Sequence, residues 1–102
     1  MENRLEFHEE LCELLGSRNV YFQPPENVKL KYDCIVYHKA DVVARHANNK
    51  MYQHMRRYEV TIIYKDPDND IAKKLLEHFM YSGFERHFTS DNLNHDVLSI
   101  YY

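Results

Sequence analysis

The 102-residue chain predicts an α+β fold: a mixed or antiparallel β-sheet with two helices packed on one face and a long β-hairpin arm. Three observations carry that prediction. Tyr58 to Tyr64 alternates, with Tyr58, Val60, Ile62 and Tyr64 on one face and Glu59, Thr61 and Ile63 on the other, where Ile63 breaks the polar face and implies partial cover. Two stretches repeat apolar residues at helical spacing, Phe7 to Leu15 and Ile71 to Phe79. Between Asp41 and Glu59 no acidic residue occurs, while Arg45, Lys50, Arg56 and Arg57 supply four positive charges. The length suits one domain over residues 1–102.

From the start of the chain, Asn3 to Leu15 reads as a helix. Asn3 and Glu6 have the spacing of a capping box, Phe7, Leu11, Leu14 and Leu15 form the apolar stripe, and Gly16 closes the helix. Asn19 to Phe22 is a short strand. Gln23-Pro24-Pro25-Glu26-Asn27 must be a loop, because Pro24 has no amide hydrogen and restricts its neighbours. Val28, Leu30 and Tyr32 alternate with Lys29 and Lys31, so an extended segment is expected there. Cys34 to Tyr37 opens a central strand.

Asn48-Asn49 tolerates left-handed conformations and is a turn for an arm running from Arg45 to Arg57. An arm carrying Met51, Tyr52 and Met55 past the core is expected to be buried against a partner with an acidic surface. The competing reading is a solvated loop.

The strand from Tyr58 to Tyr64 is rich in β-branched and tyrosine residues, which suit a half-buried pleated surface. After it, Asp66 is the expected N-cap of the second helix, with Pro67 at the first helical position and Gly83 as the stop. Asp66, Asp68, Asp70 and Glu77 also match four positions of a calcium-loop template. Ile71 replaces that template's turn-making glycine, and helical periodicity starts at the same residue, so capping is the expected role. Phe84 to Thr89 and Asp96 to Tyr102 read as strands around a turn at Ser90 to Asn94. A last strand ending on Ile100-Tyr101-Tyr102 is expected to pair into the sheet, near a subunit boundary.

No apolar run reaches the roughly 20 residues of a membrane-spanning helix, and the first residues carry no signal-peptide pattern, so cytoplasmic synthesis is expected. Cys12 and Cys34 read as small buried hydrophobes rather than a disulfide or zinc framework. The net charge of −3 gives no general attraction to nucleic acid. Nine tyrosines and no tryptophan point to contact surfaces as well as a core. Of the seven histidines, His87 and His95 flank a polar turn with Asp91 and form the best catalytic candidate, yet nothing in the sequence shows them converging. Phosphate cradles, nucleophile elbows and paired helical histidines are missing from the sequence. The expectation is a non-enzymatic protein with no cofactor and no metal.

The order helix, strand, proline loop, strand, arm, strand, capped helix, strand, strand resembles the tail-terminator (tail-completion) proteins of long-tailed bacteriophages. The residues that carry the resemblance are NVYFQPPENVKLKYDCIVY after the first helix, RRYEVTIIYKDPDNDIAKKLLEHF, and the closing HDVLSIYY. The resemblance implies a virion structural protein made in the host bacterial cytoplasm. It would form a homohexameric ring at the head-proximal end of the tail tube, stopping tube growth and enabling head–tail joining. Its implied partners are other copies of itself, the tail tube protein and the head–tail connector or stopper. DNA is met only as it passes through the lumen, and no membrane is involved. Arg45, Lys50, Met51, Tyr52, Arg56, Arg57, Tyr101 and Tyr102 are the expected interaction residues. The rival readings are another neck protein of the head–tail junction and a small monomeric module that binds protein or RNA.

Overall fold

A computed structural model describes residues 4–40 and 56–102. The described elements are α1 (Arg4–Leu15), β1 (Val20–Phe22), β2 (Cys34–Lys39), β3 (Arg57–Tyr64), α2 (Ile71–His78), β4 (Ser82–Ser90) and β5 (Leu93–Tyr101). They form an α+β fold with a mixed five-stranded sheet in the order β1-β2-β3-β5-β4. β1 runs parallel to β2, and the other neighbours are antiparallel. The expected arm from Arg45 lies, as far as residue 55, outside the described residues, as does Asn3 of the expected capping box.

Alternation in β3 sorts the molecule into two faces. Tyr58, Val60 and Ile62 are buried together with Ile35 and Tyr37 of β2 and Leu98 and Ile100 of β5, and both helices cover that face. Phe7 of α1 sits at the centre. Its ring stacks on Tyr58 at 4.7 Å between centroids and meets Tyr37 edge-on at 5.4 Å. Phe79 and Tyr102 close the cluster at 5.4 and 4.9 Å. The tyrosine excess therefore serves the core first: Tyr37, Tyr58 and Tyr64 are buried, and Tyr32 is the exposed tyrosine among the described residues. Tyrosine fills a core at low cost only where its hydroxyl finds a partner. Arg4 Nη1 donates to the Tyr37 hydroxyl, which lies 2.7 Å from His8 Nδ1, and the Tyr64 hydroxyl donates to Asp96.

Four expectations are corrected. Val28 to Tyr32 forms no strand, and Val28 and Tyr32 are both exposed. Alternation alone does not make a strand: the segment pairs with no edge, although the outer sides of β1 and β4 carry no strand neighbour among the described residues. The second helix starts at Ile71, four residues after Pro67. Asp66 closes a turn of its own by accepting the Asp68 amide at 2.9 Å, while Asn69 Oδ1 accepts the Ile71 amide at 2.8 Å and serves the helix start. Because α2 occupies positions 71–78, the coil that a calcium loop requires is not adopted. Finally, Gly83 lies inside β4, and α2 ends earlier, where Phe79 turns extended. Gly16 does close α1, at φ +87°, with its amide bonded to the Cys12 carbonyl.

Candidate functional site

The last hairpin gives the molecule its most distinctive surface. Asp91 and Asn92 both have positive φ, 55° and 63°, the geometry of a two-residue turn whose twist matches paired strands. That turn fixes the whole register: Ser90 faces Leu93, Phe88 faces His95 and His87 faces Asp96. The turn is tighter, and both strands longer, than the Ser90–Asn94 turn region expected from composition.

The register brings together three side chains that lie far apart in sequence. Asp96 is 6% exposed, on the helix-covered face. Its Oδ2 accepts the Tyr64 hydroxyl at 2.8 Å, and its Oδ1 lies 2.6 Å from His87 Nδ1. An ionised carboxylate only accepts, so the proton is on His87 Nδ1 and Nε2 is the imidazole's remaining acceptor. Burial and the Asp96 contact push the Tyr64 phenol up to about 12. This is an oriented imidazole on a buried acid, which is one part of a general-base arrangement. His87 and His95, weighed in the sequence as the best catalytic candidate but with no sign of convergence, do not come together: His95 lies on the opposite sheet face, stacked on Phe88 at 4.6 Å, and Asp91 sits in the turn. Among the described residues no group of three or more His, Cys, Asp or Glu side chains is placed to hold a metal ion.

A sequence reading could have found the Asp96–His87 pair through the turn. Placing two turn residues at Asp91-Asn92 makes positions 87 and 96 direct cross-strand neighbours, and Asp96 is the acid at the head of an otherwise apolar strand.

Of the expected interaction residues, Arg45, Lys50, Met51 and Tyr52 lie outside the described residues. The other four meet at one end of the sheet. Arg57 faces Tyr101 across β3 and β5, and the backbones of Arg56 and Tyr102 exchange hydrogen bonds at 3.3 and 3.0 Å. Arg56 is exposed. Arg57 is held by Ser99, whose Oγ accepts from its Nε and Nη2 at 3.2 and 2.9 Å and donates to Glu85 Oε2 at 2.6 Å. Tyr102 packs on Phe7 and Phe79 and donates its hydroxyl to Glu10. Burial, then that bond, raises its phenol pKa well above the ordinary value.

β4 itself is the outer strand at one side of the sheet and is exposed along nearly all its length. Phe84 is 51% exposed and Phe88 39%. The register shifts between Phe84 and Arg86, so Glu85 is an extra residue, a β-bulge. Met80 at 82% and Leu5 at 71% are further exposed apolar side chains. No family model matches this chain, and no curated protein and no solved structure is significantly similar to it.

Proposed function

We propose that this protein is a non-enzymatic structural subunit of the tail-terminator type. Its copies form a ring, a hexamer by the resemblance in the sequence, at the head-proximal end of a phage tail tube. The ring stops tube growth and offers a face to the head connector. The observation that carries the proposal is the spread of exposed large apolar side chains over opposite sides of one small sheet. Phe84 lies on the helix-covered face of β4, Phe88 on the other, and Leu5 and Met80 outside the core. A subunit inside a stacked ring touches neighbours on several sides, and apolar side chains exposed on several sides are what such neighbours would cover. The element order and the two-helix layer agree with the architecture the resemblance implies.

Recognition in this reading is by shape and charge, with no bond made or broken. Arg56, exposed where β3 begins, is the described residue of the basic stretch best placed to meet a partner. Light scattering over a concentration series, followed by negative-stain imaging, tests the proposal. A hexamer with a central hole is expected, alone or on tail tubes, and Arg56→Gln should weaken its assembly while the monomer stays folded. A chain that stays without a ring in the presence of tube ends refutes it.

A further inference from the structure

The bulge in β4 determines what kind of strand can add to that edge. Across β4 and β5, Ser82, Phe84, His87 and Thr89 face the helix side, paired with Ile100, Leu98, Asp96 and Asn94. Gly83, Arg86 and Phe88 face the other side, paired with Ser99, Val97 and His95. Glu85 shares that second side, since Ser99 donates to it and Arg57 Nη2 lies 4.0 Å away. Two successive residues, Glu85 and Arg86, thus face the same way. A regular strand laid along this edge alternates faces without interruption, so it matches β4 on one side of the bulge and mismatches it on the other. Only a strand with the same bulge in phase keeps like face against like face along the whole edge.

We propose that this partner is a second copy of the chain, with β4 pairing antiparallel to β4 about a twofold axis between Glu85 and Arg86. This register sets Glu85 opposite Arg86 of the second copy, and Arg86 opposite Glu85 of the second copy. Two reciprocal ion pairs form at the axis. Arg86 has no ion-pair partner among the described residues of its own chain; its guanidinium stands 5.8 Å from the Phe88 ring. Next outward, Phe84 lies opposite His87 of the second copy, a cross-strand aromatic pair formed twice. Phe88 then lies opposite Gly83 of the second copy. A Cβ built on Gly83 meets nothing within 4 Å, so the space is open, and an aromatic ring over an edge glycine is a known means of covering such a position. Ser82 and Thr89 complete the ladder. Each exposed residue of the edge therefore meets a complement, and the bulge that blocks foreign strands selects the chain's own copy.

The pairing is isologous, whereas a ring contact is heterologous. It claims Phe84 and Phe88, on which the ring reading also draws, and the following experiment separates the two. Association is read by sedimentation equilibrium, with circular dichroism reporting the fold. Wild type is expected to show a reversible dimerisation step, whether or not the dimers go on to larger assemblies. R86E sets glutamates opposite each other twice and should weaken dimerisation about tenfold. E85R/R86E exchanges the charges, recreates both cross-axis pairs and should restore association. Should the exchange variant unfold, S82C/T89C provides a second reading. These positions lie roughly 20 Å apart along one strand but are direct neighbours across the axis, so oxidation should yield a covalent dimer. A monomeric wild type, unweakened R86E, a folded exchange variant that does not dimerise, or no cross-link overturns the pairing. A ring that survives R86E together with undiminished dimerisation sinks this contact and leaves the ring proposal standing.

Discussion

Replacing Tyr64 by phenylalanine tests the buried acid directly. The ring is 5% exposed and Asp96 is 6% exposed, so neither group exchanges its partner for bulk water. Phenylalanine keeps the ring volume, which leaves no cavity, and removes only the hydroxyl that donates to Asp96 Oδ2 at 2.8 Å. A hydrogen bond to a charged group contributes about 1.5–3 kcal/mol, and stranding a buried acceptor sits within that range. The expected loss is about 2 kcal/mol. For a domain of this size that lowers the melting temperature by roughly 10 °C. His87 holds the other oxygen from a half-exposed position, so His87→Ala should cost less alone. The double variant leaves Asp96 without either side-chain partner, and its loss should exceed the sum of the singles by about 1 kcal/mol. The alkaline limb gives a second reading. The Tyr64 phenol is raised from its ordinary 10 to about 12 in the folded chain. The unfolded state then loses its proton first. The contribution is complete below pH 10 and disappears as pH rises through 12. Y64F should flatten that loss in urea titrations at pH 9 to 12 and remove one late-ionising tyrosine from the ultraviolet titration. A Y64F protein within about 0.5 kcal/mol of wild type at neutral pH would mean that Asp96 does not depend on the phenol, and the network would be discarded.

Four further outcomes follow from single residues. Asn69→Ala should cost about 1–2 kcal/mol by urea denaturation, because Asn69 accepts the Ile71 amide and donates to Asp33 Oδ2. Asp70→Ala should be nearly silent, since Asp70 stands at the cap position without a side-chain cap bond. Gly16→Ala should cost about 1 kcal/mol in thermal melts through its left-handed backbone alone, as the added methyl group meets nothing within 4 Å. Burial, and then the nearby Arg4 charge, hold the His8 imidazole below its ordinary 6.5. Its folded form therefore binds a proton less readily than the unfolded chain. Stability should fall as pH drops from 7.5 toward 5, and His8→Gln should flatten that limb.

The two helices, the central strand and the closing strand were legible because their periodicities leave one face apolar over a long enough stretch. Phe7 and Leu11, and likewise Tyr58, Val60 and Ile62, are buried as their spacing requires. The Val28–Tyr32 alternation misled because alternation says only which side chains share a face, whereas pairing is a property of the whole sheet. Proline at position 67 resembled a helix start, yet Asp66 and Asn69 bond to separate amides and turn the chain once before α2 begins. The tyrosines suggested contact surfaces as well as a core, and the hydroxyls of Tyr37, Tyr64 and Tyr102 reach Arg4, Asp96 and Glu10, partners from distant segments that no local pattern reveals. The Asp96–His87 contact was within reach through the turn at Asp91-Asn92, but the bulge at Glu85, on which the character of the β4 edge depends, has no counterpart in local sequence pattern.

The order of strands also has a consequence for how the chain is made. β5 follows every other described element in the chain, yet it sits between β3 and β4 and is hydrogen-bonded along its length to both. Everything that precedes it emerges from the ribosome with β3 open on one side and β4 without any neighbour. Cooperative closure must wait for residues 93–101 to clear the exit tunnel, and these contacts join segments far apart in the chain. Until β5 emerges, β3 and β4 share no neighbour, and one strand then joins the two halves of the sheet.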